Sequence, residues 1–78
     1  MTPLISEKIK ALLKINGLKH SQLADHLGIT PQALANKFVR GSFTAAELIT
    51  IANYTGSTVS FNLKDGTTIL LNEKDFNN

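Results

Sequence analysis

Apolar residues recur every three or four positions through the first half of the chain, which is the spacing of one face of an α-helix. The first run follows Thr2-Pro3, a pair typical of a helix N-cap and the first helical residue. A second run covers about residues 20–27 and stops at Gly28, since glycine permits the left-handed backbone at which many helices end. These runs predict two short helices.

Two further helices are indicated by their capping residues. Thr30-Pro31 repeats the cap-then-proline pair and opens a helix through about residue 39. Thr44 followed by Glu47 forms a capping box at the start of a fourth helix. The inner face of that helix is assigned to Leu48, Ile51 and Ala52. The fold is therefore predicted to be mainly α, with a compact four- to five-helix bundle in the first 56 residues.

After residue 56 the apolar spacing changes from helical to alternating, which predicts a β-hairpin over residues 57–72. A two-residue loop would pair Phe61 with Leu70, whereas a three-residue loop with Gly66 in the left-handed region pairs Phe61 with Ile69. The second register is favoured because it gathers five apolar side chains on one face. They are Val59, Phe61, Leu63, Ile69 and Leu71.

This apolar face has two interpretations. Either it covers the helices, or the hairpin edge pairs with a second protomer. Leu70 then points to the other face, where it is expected to meet the helices or the second protomer. Residues 73–78 are expected to be a tail in which Phe76 is the large apolar residue.

Length and composition fit a single small domain over residues 1–78, with 42% hydrophobic and 18% charged residues. The absence of cysteine excludes disulfides and thiolate metal sites. No apolar run is long enough for a membrane span or a signal peptide, so we expect a cytoplasmic protein without a membrane partner. Residues 1–56 hold six Lys and Arg against three Asp and Glu, an excess compatible with a nucleic-acid partner but too small to indicate one alone.

The segment from His20 to Leu34 has the spacing of two helices that cross at a tight turn. Such a crossing needs a small residue where the helices approach, a turn-tolerant residue four positions later and a branched apolar residue six positions further on. In this arrangement the first helix braces the second across the DNA backbone while the second lies in the major groove. The residues expected to hold the two helices together are Leu23, Ala24, Gly28, Leu34 and Phe38.

Together with the helices before and after it, this segment resembles the lambda-repressor-like helix-turn-helix family, of the Cro/repressor or XRE type, over residues 4–56. The resemblance implies a four- or five-helix bundle whose third helix reads double-stranded DNA, usually as a homodimer on a two-fold operator. The sequence departs from the family pattern at Lys19, where a capping Thr or Ser is common, and at His20, where a phosphate-binding Gln is common. At Lys37 the family usually has an apolar residue, and Phe38 takes over its packing role.

The outward face of the third helix is predicted to read bases. At about 100° per residue, Gln32 and Asn36 fall together on the side opposite Leu34 and Phe38. Their amides are the side-chain groups that can bond adenine N6 and N7 as a pair. Ala33 flanks them, where a small side chain meets a thymine methyl group or permits close approach.

Polar and basic residues at the ends of the second and third helices are predicted to contact the DNA backbone. Thr30 lies at an open helix N-terminus that could accept a phosphate, whereas Lys37 and Arg40 at the C-terminus could instead stabilise the helix dipole. The predicted backbone contacts are Lys19, His20, Ser21, Thr30, Lys37, Arg40 and Ser42. The lysines of the first helix are expected to form a solvated face: Lys8, Lys10 and Lys14.

No catalytic or metal-binding set is found in the sequence, because His20 and His26 lack Cys or acidic partners and Ser21 next to His20 turns away from it on a helix. We therefore predict a transcription regulator, repressor or Cro-like, without cofactor or small-molecule ligand. One alternative is an antitoxin or accessory factor that acts mainly through a protein partner. The other is an interaction module without DNA binding, against which the polar Gln32 and Asn36 face argues.

Overall fold

The computed structural model describes residues 3–75, which form four α-helices, one antiparallel hairpin and a short 3₁₀ turn. In chain order the elements are α1 (Leu4–Ile15), α2 (His20–Leu27), α3 (Pro31–Arg40), α4 (Ala45–Tyr54), β1 (Val59–Asn62), β2 (Thr68–Leu71) and the 3₁₀ turn Glu73–Asp75. The predicted mainly helical fold with a C-terminal hairpin is thus confirmed. Backbone contacts divide the chain into a unit that ends at Phe43 and a unit that begins at Thr44.

Helix α1 begins one residue later than predicted. Pro3 is its N-cap and not its first helical residue, because ψ of Pro3 is 145° and its carbonyl accepts hydrogen bonds from the N–H groups of Ser6 at 3.0 Å and Glu7 at 3.2 Å. The expected N-cap, Thr2, lies outside the described residues. The helix therefore starts with Leu4 and presents Ser6 in its first turn.

The first unit has a core shared by its three helices. Each helix contributes apolar side chains that are almost fully removed from solvent, as the helical spacing in the sequence requires. They are Ile9 and Leu13 from α1, Leu23 and Ala24 from α2, and Leu34 and Phe38 from α3. Burial of these side chains fixes which faces of α2 and α3 remain outside.

The second unit begins with the predicted capping box. The side-chain oxygen of Thr44 accepts from the N–H of Glu47 at 3.1 Å, and the Glu47 carboxylate accepts from the N–H of Thr44 at 2.9 Å. Ile51 and Ala52 are buried as predicted, but Leu48 is only half-buried and Ile49 takes the deeper position. Helix α4 contacts β1 and the 3₁₀ turn within this unit.

The hairpin has the register with the three-residue loop. Phe61 pairs with Ile69 and Val59 with Leu71, and the N–H of Leu63 donates to the carbonyl of Thr67 at 2.8 Å. Gly66 takes φ +93°, which the loop requires and which a side chain would strain. The Thr67 N–H donates to the carboxylate of Asp65 at 2.9 Å, and this hydrogen bond lowers the pKa of the Asp65 carboxyl below its usual value. Phe76 lies outside the described residues.

Candidate nucleic-acid interface

The turn between α2 and α3 places the two helices of the candidate site. Leu23, Ala24 and Leu34 are each no more than 1% exposed where the helices meet. Gly28 ends α2 with φ +72°, and the N–H of the next residue, Ile29, donates to the Ala24 carbonyl at 3.0 Å. This closed turn brings the start of α3 next to the end of α2.

Helix α3 begins with a complete cap. The Thr30 side-chain oxygen accepts from the N–H of Ala33 at 3.1 Å, and Pro31 occupies the first helical position. Thr30 is exposed, so its hydroxyl retains a proton to donate outward while it caps the helix. The cap fixes where the first turn of α3 begins.

The outward face of α3 displays two amide side chains that bond each other. Gln32 and Asn36 are both exposed, and the Gln32 Nε2 donates to the Asn36 Oδ1 at 3.4 Å. Ala33 is half-buried beside them, while Phe38, on the opposite side of the helix, is 4% exposed. Because each amide uses only one polar atom in this contact, the Gln32 oxygen and the Asn36 NH₂ group remain available to a ligand.

Val39 is a component of this surface that the sequence analysis missed. It is 72% exposed, and its position on α3 lies about 20° from that of Gln32. Valine at a helix end reads as a core residue in the sequence pattern, so only a helical projection of all ten α3 residues would have placed it outside. An exposed apolar side chain next to the amides can make van der Waals contact with a ligand that binds this face.

Basic and polar side chains lie at the start of α2 and at the end of α3. At the start of α2, Lys19, His20 and Ser21 are exposed, and the Lys19 N–H donates to the Gln22 Oε1 at 2.7 Å. At the end of α3, Arg40 is exposed. Lys37 is half-buried there, and its Nζ donates to the carbonyl of Ser42 at 3.5 Å. Its positive charge therefore also stabilises the C-terminal end of the helix dipole.

The Phe38 ring links the three helices of the first unit. The His20 ring lies 5.0 Å from it, the Phe43 ring 5.5 Å, and the Lys10 Nζ 5.3 Å above its centre. The sequence predicts a solvated face for all three α1 lysines, but Lys10 instead lies over the Phe38 ring. Of the α1 lysines it lies nearest to the buried Ile9 and Leu13 face, which a helical projection would have shown.

The first unit has a cavity of about 220 Å³, lined by Lys10, His20, Ala35, Phe38 and Val39. Its lining combines the apolar side chains of Ala35, Phe38 and Val39 with the side chains of Lys10 and His20. At this cavity Lys10 of α1 lies near His20, the first residue of α2, and near the exposed Val39 of α3. Residues 3–43 carry six Lys and Arg against two Asp and Glu, so the whole unit is basic.

Within residues 3–75 there is no group of three or more His, Cys, Asp or Glu side chains that could hold a metal ion. Over the same residues, no helix has the length and apolarity needed to cross a bilayer.

Comparison with known protein families gives one assignment. Residues 7–61, from the first turn of α1 into β1, match the helix-turn-helix domain of bacteriophage CI repressors. No curated protein and no solved structure matches the chain. The matched segment contains all of α2 and α3 and more than two thirds of the residues. The protein therefore belongs to the bacteriophage CI repressor helix-turn-helix family, a family of DNA-binding transcription regulators and not of enzymes.

Proposed function

We propose that the protein is a sequence-specific repressor that places α3 in the major groove of double-stranded DNA. The observation that carries this proposal is the mutually bonded pair of exposed amides, Gln32 and Asn36, on the side of α3 opposite its buried residues. Family membership supports DNA as the partner, and the amide pair has the hydrogen-bonding groups needed to read bases.

The amide pair fits an A·T base pair. Adenine offers an N6 donor and an N7 acceptor in the major groove, and the Gln32 oxygen and Asn36 NH₂ group offer the complementary acceptor and donor. Ala33 is small enough to let the helix approach the base edges, and Val39 is an apolar contact for a thymine methyl group. The expected preference is therefore for A·T pairs at one or two positions.

Backbone anchoring is assigned to the residues on both sides of the amides. Lys19, His20 and Ser21 lie at the N-terminus of α2, where free N–H groups favour a phosphate. Thr30 stands at the N-terminus of α3. The anchors at its C-terminus are Lys37, Arg40 and Ser42. We add Lys10 to the anchors at the start of α2, because its Nζ and the His20 imidazole both contact the Phe38 ring.

We assign the exposed face of the hairpin to a second copy of the chain. Phe61 is 61%, Leu63 46% and Ile69 52% exposed, and the register places all three on one face without a charged side chain among them. A neutral apolar face accepts an identical copy without like-charge repulsion. A homodimer also supplies the second reading helix, since one short helix makes few base contacts and half-sites lie about 34 Å apart.

The size of this face indicates how strong the dimer is. Its exposed apolar surface is on the order of 300 Å² per copy, at the lower end of the range of about 300–600 Å² for the largest, often functional, apolar patch on a monomeric protein. Stable complexes bury about 800 Å² per partner, so the hairpin alone supplies less than half of that. The dimer is therefore weak in free solution and forms at low concentration only on DNA.

Selection of bound sequences from a random duplex pool tests the function. The wild-type chain is expected to enrich a motif with two-fold symmetry and A·T pairs in each half-site. A double variant, Gln32→Ala with Asn36→Ala, is the matched control and should enrich little or nothing. Failure of the wild-type chain to enrich any motif would contradict sequence-specific binding, and a motif without symmetry would contradict the homodimer.

An antitoxin or accessory role is the alternative if another protein occupies the hairpin face. The exposed Phe61, Leu63 and Ile69 would then bind that protein, and the chain alone would stay monomeric on DNA. Sedimentation of the chain with a selected duplex distinguishes the two roles. Two copies per duplex support the homodimer, and one copy at every concentration supports the alternative.

A further inference from the structure

Ser6 makes a contact between α1 and α3 that its place in the sequence does not suggest. Within residues 3–75 it is the one polar side chain that is fully buried, with 0% of its surface exposed. Its hydroxyl donates to the carbonyl oxygen of Phe38 at 2.6 Å, across 32 positions of sequence. A buried hydroxyl is retained at such a site only when it is hydrogen-bonded.

The acceptor is a carbonyl that α3 itself no longer satisfies. The last four carbonyls of a helix lack the usual intrahelical partners, and Phe38 carries one of these groups in α3. The next amides along the chain, those of Gly41 and Ser42, both donate to the Lys37 carbonyl, at 2.7 and 3.2 Å. Ser6 thus supplies the donor that the Phe38 carbonyl lacks at the end of the helix.

A second contact holds the same end of α3 against α1. Gly41 follows α3 with φ +66°, and a Cβ atom placed there would lie 2.9 Å from Cβ of Pro3 and 3.2 Å from Cγ2 of Ile5. The backbone after α3 therefore touches the first residues of α1 directly. Ser6 with Phe38, and Gly41 with Pro3 and Ile5, are two fixed points between these elements.

We propose that Ser6 is a positioning residue for base reading, because it sets the axial position of α3 through the Phe38 carbonyl. Phe38 follows Asn36 by two residues, or about 3 Å along the helix axis. A slide of α3 by about 1 Å along the direction of this hydrogen bond lengthens it from 2.6 Å to about 3.6 Å, beyond hydrogen-bond range, and shifts the two amides by the same amount relative to α1. This inference rests on the proposed role of α3 as the reading helix.

The test compares Ser6→Ala with Ile9→Val, a control that removes one buried methyl group from the same helix but no hydrogen bond to α3. Affinities are measured for the selected operator and for a random duplex, at a temperature where both variants are folded by circular dichroism. Ser6→Ala is expected to lower the ratio of operator to random affinity by about tenfold. Ile9→Val should leave that ratio within about twofold of the wild-type value.

An equal loss of the ratio in both variants, or an unchanged ratio in Ser6→Ala, would overturn the positioning role. If the wild-type chain itself shows no operator preference, the proposed function fails, and Ser6 is then judged by amide hydrogen exchange alone. Ser6→Ala should speed exchange at the Gly41 and Ser42 amides by about tenfold or more relative to Ile9→Val, and equal exchange would overturn the contact's role. If Ser6→Ala does not fold, Ser6→Cys replaces it, since a thiol has similar size but is a weaker donor.

Discussion

Two exposed surfaces of this molecule differ in chemistry, and we propose a different kind of partner for each. The outer face of α3 carries the amides of Gln32 and Asn36, with cations at both ends of the helix pair. The hairpin face carries Phe61, Leu63 and Ile69 with no charge among them. Exposed amides with basic side chains nearby suit a nucleic acid, whereas a neutral apolar face suits a protein.

Different forces act at the two surfaces. Contacts to phosphates release counterions and weaken as salt is added. Burial of apolar surface changes little with moderate salt but depends on protein concentration. Each surface can therefore be tested by a condition to which the other is insensitive.

The largest effect is expected from salt. Lys19, Lys37 and Arg40 from two copies should neutralise about six phosphates, without counting Lys10, which gives a log–log slope near −5 or steeper and at least about a thousandfold loss of operator affinity between about 50 and 200 mM salt. Fluorescence anisotropy with a labelled operator at increasing salt measures the slope. A slope near zero would exclude the α3 side as a DNA-binding surface, whatever the hairpin does.

The next effect concerns the amide pair. Gln32→Ala and Asn36→Ala should each cost about 1–3 kcal/mol of operator binding and relax preference at an A·T pair. Because the two side chains bond each other, the double variant should lose less than the sum of the single losses. Binding titrations of the three variants form the double-mutant cycle, and strict additivity would show that the amides act independently.

A smaller effect is expected at the hairpin, where the two faces give a matched pair. Phe61→Gln removes a large side chain from the apolar face and should weaken dimerisation by about tenfold, since it forfeits part of about 1.5–3 kcal/mol of burial. Leu70→Gln, on the other face and 57% exposed, should leave dimerisation unchanged. Sedimentation equilibrium over a concentration series measures both variants. Equal losses of dimer affinity in the two variants would contradict the assignment of the interface to the face that bears Phe61.

The smallest effect is expected for Lys10. Lys10→Ala should reduce the magnitude of the salt slope by about one for each copy that no longer neutralises a phosphate there, with a few-fold loss of affinity at moderate salt. Lys14→Ala removes the same charge from the exposed side of α1 and serves as the control. If both variants give the same slope, Lys10 has no phosphate contact of its own and contributes only net charge.

The local pattern of the chain determined much of this structure. The hairpin register followed from period-two spacing and a loop that needs Gly66 at positive φ, both of which are local properties. The start of α1 differs by one residue from the prediction: Thr2-Pro3 predicts Pro3 as the first helical residue, whereas ψ of Pro3 is 145° and its carbonyl accepts the first hydrogen bonds of the helix. Positions set by local spacing were thus predictable to within a residue.

The tertiary features of the site were harder to predict. Ser6 reads as an ordinary first-turn serine, and its role depends on a carbonyl 32 positions away. A helical projection places Lys10 beside the buried face of α1, but only the tertiary structure shows that the Phe38 ring lies beneath its ammonium group. The face that bears Gln32 and Asn36 was predictable since both lie on one helix, but the bond between them was not.

We propose that the outer face of α3 reads bases, while the residues at the C-terminal end of the helix bind the DNA phosphates. The most direct test compares Asn36→Ala with Arg40→Ala on the selected operator and on a random duplex at two salt concentrations. Asn36→Ala should weaken operator binding by about 1–3 kcal/mol, hardly change random binding and keep the salt slope. Arg40→Ala should weaken both duplexes alike and reduce the magnitude of the slope by about one for each phosphate that is no longer neutralised. Full operator preference in Asn36→Ala, or the same pattern in both variants, would contradict the claim.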